Sequence, residues 1–300
     1  MPSKILITGG TGLIGSKLRS KLEGKQHEVR ILTTSAVKAE EEHYYYWNLK
    51  DQYIDQAVFE GLDYIIHLAG AGVADERCNE KRKKVIYDSR IKNTELLFER
   101  AKNAGIKGIL AASAVGYYGF DSGDQWMDED GPTGDGFLAE VVRDWEDRIS
   151  YFKEITDQVY VLRIGIVLSK KGGALKEMMP PFKFGFGAPL GSGTQWMSWI
   201  HIDDMVDMFI HGLENNLSGI FNGVGPNPET NRSFSKKLAS TLGKPMWMPN
   251  VPKFALSILF GELAQIVVGG NKVKAEKIQS TGFTFQYTEL DDALQNLLEK

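Results

Sequence analysis

Three glycines near the start of the chain have the spacing of a phosphate-binding turn. Gly9, Gly12 and Gly15 form the pattern G-x-x-G-x-x-G directly after the apolar run 5–7. Gly9 permits a tight turn, Gly12 lets a pyrophosphate approach the backbone, and Gly15 allows the following helix to pack closely on the strand. The free amide groups at the start of that helix, together with its dipole, favour a negative charge. The pattern predicts a dinucleotide site, with a glycine-rich turn that binds nothing as the alternative.

A serine and two tyrosines form the second group that could do chemistry. Ser113 stands at the carboxyl end of a predicted strand, and Tyr117 and Tyr118 follow shortly after it. A serine hydroxyl can orient a substrate oxygen, and a tyrosine hydroxyl can transfer a proton to it. Either tyrosine could instead stack or pack beside a cofactor, so both interpretations stay open.

Chemistry at these residues needs a scaffold that brings the ends of strands together. Strands and helices are predicted to alternate along the first part of the chain. The strands are expected at 5–7, 28–32, 44–47, 62–70, 108–112 and 158–164, and long helices at 79–104 and 137–151. This order predicts an α/β fold with a doubly wound parallel sheet, in which ligands bind outside the carboxyl ends of the strands. The candidate residues at or near such ends are Gly9, Ala69, Gly70, Ser113 and 163–165.

The stretch after the second predicted strand bears on the choice of cofactor. An NAD-binding protein usually places an acidic residue on the ribose hydroxyls about 20 residues past the glycine pattern. Thr33, Thr34 and Ser35 stand there instead, with Lys38 as the nearest cation. The absence of a carboxylate removes the repulsion that would exclude a 2′-phosphate. The sequence therefore favours NADP, with NAD as the alternative.

Composition and charge exclude several classes of function. The net charge is −4 over 300 residues and the pI is about 5.8, which gives no support to a nucleic-acid surface. The run 81–84 is basic, and we interpret it as a solvated helix face rather than as a contact for an anionic substrate. The single cysteine, Cys78, cannot form an internal disulfide and is interpreted as structural.

Two further features concern location and partners. The chain enters its first strand without a signal peptide, and the apolar-leaning stretch 254–268 is too short and too interrupted to span a bilayer. We therefore expect a cytoplasmic protein, either a monomer or a homodimer, with a small-molecule substrate. No nucleic-acid partner, membrane partner or metal site is expected.

The second half of the chain changes character between 180 and 193, which is rich in glycine, proline and phenylalanine. We predict a loop there that closes over a pocket, with packing of a lobe as the alternative. Beyond it, His201 is expected to hydrogen-bond at the entry of a helix that Asp203 caps. The predicted domains are a dinucleotide-binding domain at 1–168, rejoined by 200–225, and a smaller, mostly helical substrate lobe at 169–199 and 226–300.

The sequence resembles the extended and atypical short-chain dehydrogenase/reductases. More narrowly, it is similar to the subgroup called epimerase family proteins, which carry an NAD-dependent epimerase domain and a C-terminal domain of unknown function. The matching segments run through essentially the whole chain and are 7–15, 67–70, 89–90, 113–119, 145–146, 162–168, 191–193, 199–204, 222–223 and 281–285. The resemblance implies a reductase or a nucleotide-sugar-epimerase-like enzyme that acts on a carbonyl compound or a nucleotide sugar.

The chain departs from the superfamily at its catalytic positions. The superfamily uses a serine or threonine, a tyrosine, and a lysine four residues after that tyrosine. Ser113 matches the serine, but the next helix has Phe137 and Val141 where Tyr-x-x-x-Lys is expected. Either Tyr117 or Tyr118 supplies the proton by another route, or the protein is an NADPH-sensing regulatory protein without redox turnover.

The glycine turn, the strand ends and the family resemblance together predict one set of cofactor-binding residues. For Arg163, the alternative is a structural role as an ion-pair partner. The set is Gly9, Thr11, Gly12, Leu13, Ile14, Gly15, Thr34, Ser35, Lys38, Leu68, Ala69, Gly70, Arg90, Arg163 and Gly165.

Overall fold

One large sheet with flanking helices organises the fold. The computed structural model describes residues 2–73, 76, 79–261 and 264–299. The strands are β1 (Lys4–Thr8), β2 (Glu28–Thr33), β3 (Tyr44–Asn48), β4 (Tyr53–Ile54), β5 (Tyr64–His67), β6 (Gly108–Ala114), β7 (Trp126–Met127), β8 (Gln158–Ile164), β9 (Ile166–Leu168), β10 (Trp196–Met197), β11 (Trp199–His201), β12 (Gly219–Gly223), β13 (Glu229–Thr230) and β14 (Lys272–Val273). The helices are α1 (Leu13–Gly24), α2 (Glu80–Ala101), α3 (Phe137–Ser150), α4 (Gly173–Lys183), α5 (Ile202–Glu214), α6 (Asn231–Thr241), α7 (Lys253–Phe260), α8 (Ala264–Val268), α9 (Glu276–Ser280) and α10 (Leu290–Leu298).

The order of the strands creates the ligand cleft. The large sheet has the order β12-β8-β6-β5-β1-β2-β3-β4, and every neighbouring pair is parallel except β3 with β4. The chain winds outward from β1 in one direction through β2 and β3, and in the other through β5, β6, β8 and β12. Ligands bind at such a switch point, outside the carboxyl ends of the strands. The predicted doubly wound α/β fold is confirmed.

Local sequence explains the first strand and helix. Ile5, Leu6 and Ile7 are all fully buried, as expected for a central strand covered on both faces. Leu18 and Leu22 lie one turn apart on the buried face of α1. The hydrophobic pattern therefore places β1 and α1 on either side of the glycine turn.

The prediction for 180–193 is wrong at its start. Helix α4 includes Pro180 and Pro181 and continues to Lys183. Both prolines lie in its last turns, and Phe182 is buried in a hydrophobic cluster with α6 and α10. Leu175 and Met179 of α4 are buried in the same cluster, so the packing of one whole face accompanies a helix that proline alone would disfavour. Phe184 and Phe186 are exposed. Of the three phenylalanines, only Phe182 therefore has the packing role that sequence analysis gave as the alternative.

The cap of α5 also differs from the prediction. His201, not Asp203, precedes the helix, and its Nδ1 accepts a hydrogen bond from the backbone amide of Asp203 at 3.1 Å. The imidazole thus replaces the expected carboxylate as the cap, and Asp203 lies in the first turn beside Lys17. The expectation that His201 acts at the helix entry is confirmed.

Two hydrophobic clusters form the interior. The larger one surrounds the main sheet and also takes in Val273, Ile278, Phe283 and Phe285 from the C-terminal segment. The smaller one joins α4, α6 and α10. The division into two lobes at the stated boundaries stays a prediction. Cys78 lies outside the described residues.

Candidate cofactor and active site

The glycine turn between β1 and α1 is shaped by close packing at two of its three glycines. Gly9 has a φ of +73°, and a Cβ there would lie 3.0 Å from the carbonyl carbon of Leu68 on the neighbouring segment. A Cβ on Gly15 would overlap the carbonyl oxygen of Gly9. The protein's own backbone therefore requires glycine at both positions.

Gly12 is different, because its own surroundings do not demand glycine. Its φ is −76°, and a Cβ would have one close neighbour, the Gly9 oxygen at 3.2 Å. No side chain caps α1, and no acceptor in the described part of the chain receives the amides of Leu13, Ile14 or Gly15. The turn thus offers unpaired amides beside an open backbone face. This arrangement fits a pyrophosphate, the group that the predicted dinucleotide would place here.

A buried hydrogen-bond chain orders the strand end beside the turn. Thr8 Oγ1 accepts the amides of Leu68 and Ala69, each at 3.1 Å, so its own proton goes to Nδ1 of His67 at 2.7 Å. His67 then donates from Nε2 to Thr94 on α2 at 3.0 Å. Burial lowers the pKa of His67 to about 4, which keeps the imidazole neutral. Sequence reasoning missed this role of His67, although the histidine directly precedes the predicted 68–70 segment.

The residues after β2 form a compact polar turn. Thr33 Oγ1 accepts the amide of Ser35 at 3.2 Å, and Ser35 Oγ accepts the amide of Lys38 at 3.3 Å. Thr34 and Lys38 are exposed at this carboxyl end of the sheet. A hydroxyl-lined turn with a cation and no carboxylate fits a 2′-phosphate.

Three polar residues stand side by side on the strands β6, β8 and β12. Ser113 is in register with Arg163, and Arg163 is in register with Asn222. Residues in register on parallel strands point to the same face of the sheet. Sequence analysis selected Ser113 and Arg163 but missed Asn222, which is fully buried.

Glu146, on helix α3, contacts two of these three residues. Arg163 donates from Nε and Nη2 to the two carboxylate oxygens at 2.9 and 2.8 Å, and Ser113 Oγ donates to Glu146 at 2.5 Å. Burial opposes the charge of Arg163, but Glu146 more than offsets it, so the pKa of the guanidinium lies above its usual value. Arg163 therefore forms a structural ion pair, which sequence analysis gave as the alternative to a role in cofactor binding. Ser113 is buried with its proton committed to Glu146.

The two tyrosines have different environments. Tyr118 is buried, donates to Asn222 Oδ1 at 2.7 Å and accepts from Arg163 Nη1 at 3.1 Å; burial raises the pKa of Tyr118 to about 12. Tyr117 is half-buried, with its ring centroid 3.4 Å from Cζ of Arg163. Its hydroxyl has no hydrogen-bond partner among the described residues. The structure thus gathers Ser113, Tyr117, Tyr118 and Arg163, and their catalytic roles stay a prediction.

The two positions where the superfamily has its tyrosine and lysine carry apolar side chains on helix α3. Phe137 begins α3, and Val141 is buried on it. Tyr46 and Lys50 have the Tyr-x-x-x-Lys spacing, but they lie on β3 and the turn after it, away from Ser113. They do not restore the pair.

Gly165 and the C-terminal segment complete the surroundings. A Cβ on Gly165 would overlap the carbonyl oxygen of Ser198, so packing of that strand explains this glycine without a cofactor. Asn271 donates from Nδ2 to the carbonyls of Val115 and Gly119, at 3.3 and 2.9 Å. These two carbonyls bracket the short helical turn that carries both tyrosines. Sequence reasoning missed Asn271 because no local pattern marks it.

The described residues contain no helix long and apolar enough to cross a bilayer, and no group of three acidic, histidine or cysteine side chains placed to hold a metal ion.

The sheet order and the glycine turn define a Rossmann-type dinucleotide-binding protein with a C-terminal extension. Residues 5–136 match the NAD dependent epimerase/dehydratase family, and residues 251–297 match a domain of unknown function, DUF1731. The chain belongs to this family, in the group of epimerase family proteins.

The similarity to known proteins covers nearly the whole chain. The chloroplastic SDR39U1 homolog of Arabidopsis thaliana is 37% identical over 98% of this chain and 86% of its own length. An epimerase family protein of Staphylococcus aureus strain MRSA252 is 34% identical over 98% and 99%. A crystal structure of human epimerase family protein SDR39U1, isoform 2, with NADPH has a TM-score of 0.88, 31% identity and 99% coverage of both chains. A nucleoside-diphosphate sugar epimerase of Corynebacterium glutamicum has a TM-score of 0.79 and 31% identity, covering 99% of this chain and 58% of that one.

Proposed function

We propose that this protein is an NADP(H)-dependent oxidoreductase that binds the cofactor pyrophosphate at the turn 9–15. The observation that carries the proposal is the set of unpaired amides at Leu13, Ile14 and Gly15 beside the open face of Gly12. Amides at a helix start favour a doubly charged phosphate pair through direct hydrogen bonds and the helix dipole.

The choice of NADP over NAD rests on the turn after β2. Thr34, Ser35 and Lys38 present hydroxyls and one cation where a carboxylate would repel the 2′-phosphate. The similar human protein was crystallised with NADPH, in agreement with this preference.

The substrate we propose is a carbonyl compound or a nucleotide sugar. The bound nicotinamide would donate a hydride to a substrate carbon or accept one from it. Tyr117 is the better candidate than Tyr118 for proton transfer to the substrate oxygen, because its hydroxyl is uncommitted while that of Tyr118 is buried and bonded to Asn222. In this proposal Ser113 acts as a positioning residue, since its proton is given to Glu146.

Titration of the protein with NADPH and NADH, followed by nicotinamide fluorescence, tests the proposal. Gly12→Val should abolish cofactor binding and keep the fold, because the branched side chain occupies the approach of the phosphates. Gly24→Val is the matched control, since a Cβ at Gly24 on the same helix meets no atom within 4 Å. Unchanged NADPH affinity in Gly12→Val, or tighter binding of NADH than of NADPH by the wild type, contradicts the proposal.

A second candidate is an NADPH-sensing protein without redox turnover. It is favoured by the commitment of the Ser113 and Tyr118 hydroxyls to the buried network and by the apolar residues at Phe137 and Val141. Tight NADPH binding without consumption of NADPH in a screen of carbonyl compounds and nucleotide sugars would support it. Full loss of turnover in Tyr117→Phe would instead support the oxidoreductase. A cytoplasmic location and a monomeric or dimeric state stay predictions.

A further inference from the structure

Two segments in the second half of the chain carry an unusual set of exposed apolar side chains. Five of the six most exposed large apolar side chains in the described part of the chain lie there, and each of the five is 59–76% exposed. They are Phe184, Phe186, Trp247, Phe254 and Ile258. Single exposed apolar residues are normal on a protein surface, whereas a group of large ones marks a site of interaction.

Backbone pairing holds the two segments side by side. Val251 forms a bridge with Leu190, and its amide donates to the carbonyl of Pro189 at 2.8 Å. The carbonyl of Val251 accepts the amide of Gly191 at 2.9 Å. All five exposed side chains lie within seven residues of this junction along the chain. The two segments therefore contribute to one region of the protein surface.

Helix α7 carries two of the five side chains on one face. Leu256 is 2% exposed, whereas Phe254 and Ile258, four residues apart, share the opposite, exposed face. A surface helix normally has polar residues on its outer face. The polar residues of α7 are Lys253 and Ser257, and the hydroxyl of Ser257 donates to the carbonyl of Lys253 at 3.0 Å. The outer face of α7 thus offers apolar groups to a partner.

The charge around these side chains has one sign. The chain has 39 acidic residues and a net charge of −4, yet the ranges 178–202 and 230–261 contain no Asp or Glu. Lys183, Lys244 and Lys253 are exposed in these ranges, and none of the three has a carboxylate partner among the residues that the structure describes. We call these three lysines and the five exposed apolar side chains the apolar–basic surface.

We infer that the apolar–basic surface binds to a membrane surface that contains anionic lipids. Aromatic and large aliphatic side chains beside lysines suit the headgroup region, because the apolar groups reach the acyl boundary while the ammonium groups attract lipid phosphates. Lys183 and Lys253 directly precede Phe184 and Phe254, so a cation accompanies each ring. A lipid surface also adapts to side chains that stand out from the protein, whereas a protein partner needs a complementary shape.

The inference concerns attachment to one face of a bilayer, and it is independent of the proposed function. Sequence analysis expected no membrane partner because the stretch 254–268 is too short and too interrupted to span a bilayer. Binding at the surface needs no spanning segment. Each lysine close to an anionic surface raises the affinity about fivefold, so three of them have a measurable effect together.

Co-sedimentation of the full chain with vesicles tests the inference. One set of vesicles contains phosphatidylcholine alone, and the other contains phosphatidylcholine with about 30% phosphatidylserine, each at low and at high salt. The double variant Phe254→Ser, Ile258→Ser removes apolar groups from α7. The triple variant Lys183→Gln, Lys244→Gln, Lys253→Gln removes the positive charge.

Two control variants change exposed residues of the same kinds elsewhere. They are Val37→Ser, Tyr53→Ser for the apolar groups and Lys81→Gln, Lys92→Gln, Lys102→Gln for the charge. Circular dichroism checks that every variant keeps the fold. Sedimentation velocity without vesicles measures the oligomeric state of the wild type and of the double variant on α7.

We expect saturable binding of the wild type and of both controls to the anionic vesicles, and binding about tenfold or more weaker to phosphatidylcholine alone or at high salt. The double variant should lose about tenfold or more in affinity, and the triple variant about a hundredfold. Absence of binding by the wild type, equal binding to both kinds of vesicle, or equal losses in the controls overturns the inference. A wild-type dimer that the double variant converts to a monomer also overturns it, because the surface then belongs to a contact between two copies of the chain.

Discussion

The ion pair between Arg163 and Glu146 allows a quantitative test of how the candidate site is held. The arginine is 2% exposed and the glutamate 9%. Arg163→Met leaves a buried carboxylate whose remaining hydrogen-bond donor among the described residues is Ser113. Removing one partner of a buried pair typically costs about 3–5 kcal/mol, because the other charge stays desolvated without compensation. We expect a loss of that size in the free energy of unfolding.

The double variant Glu146→Leu, Arg163→Met separates pairing from packing. It removes both charges and keeps most of the volume, so it should lie within about 2 kcal/mol of the wild type. The difference between the double variant and the sum of the single variants is then a coupling free energy of about 3 kcal/mol or more.

Urea unfolding monitored by circular dichroism measures these free energies, with the slopes compared to detect changes in the unfolded state. Lys92→Met is the control, because Lys92 forms an exposed pair with Asp88 at 3.1 Å and should change stability by less than about 0.5 kcal/mol. A loss below about 1 kcal/mol in Arg163→Met, or simple additivity in the double variant, would refute the argument that this pair holds the row in place.

Three further predictions concern the turn, the buried histidine and cofactor choice. Gly15→Ala should destabilise the fold by about 1–3 kcal/mol, since its Cβ overlaps the Gly9 carbonyl, whereas Gly12→Ala should cost less; thermal unfolding compares the two. Stability should fall as the pH drops from about 6.5 to about 4, because the unfolded chain protonates His67 first, and His67→Gln should reduce this loss, which is about 3 kcal/mol at most for one such group. An equal pH dependence in both proteins would contradict the burial argument. Ser35→Asp should weaken NADPH relative to NADH by about tenfold or more in fluorescence titrations, and an unchanged ratio would remove the 2′-phosphate assignment.

The sequence predicted those parts of the fold that local patterns determine. The run Ile5–Ile7, the glycine spacing and the stripe Leu18–Leu22 each act within one element, so β1, the turn and α1 were placed correctly. The alternation of strands and helices then gave the sheet its class. Strand β5 ends at His67, before the predicted end at 70, and β6 continues to Ala114, past the predicted end at 112. The pairing with neighbouring strands decides where each strand stops, and a local pattern does not show it.

The partners in the site could not be read from the sequence. Ser113 and Glu146 are separated by 33 residues, and Tyr118 and Asn222 by 104. No local periodicity links such positions. The in-register pairing of β6, β8 and β12 aligns Ser113, Arg163 and Asn222, and the packing of α3 on this part of the sheet adds Glu146. The cap of α5 is a different case, because the partner of His201 is the amide only two residues ahead. Sequence analysis expected His201 to hydrogen-bond there but assigned the cap to Asp203, since a carboxylate is the more common cap.

The region that matches a domain of unknown function has a physical connection to the site through Asn271. Its amide group holds both ends of the turn that carries Tyr117 and Tyr118, and Ser198 binds the backbone on both sides of Lys272, at the carbonyl of Asn271 and the amide of Val273. Val273 and Ile278 further bury this segment in the core of the main sheet. Asn271 is thus one of several contacts that hold this turn, beside the hydrogen bond from the amide of Gly134 to the carbonyl of Tyr117 at 2.9 Å. The C-terminal region therefore contributes to the position of Tyr117, whereas the glycine turn between β1 and α1 packs against the backbone of Leu68 at the end of β5.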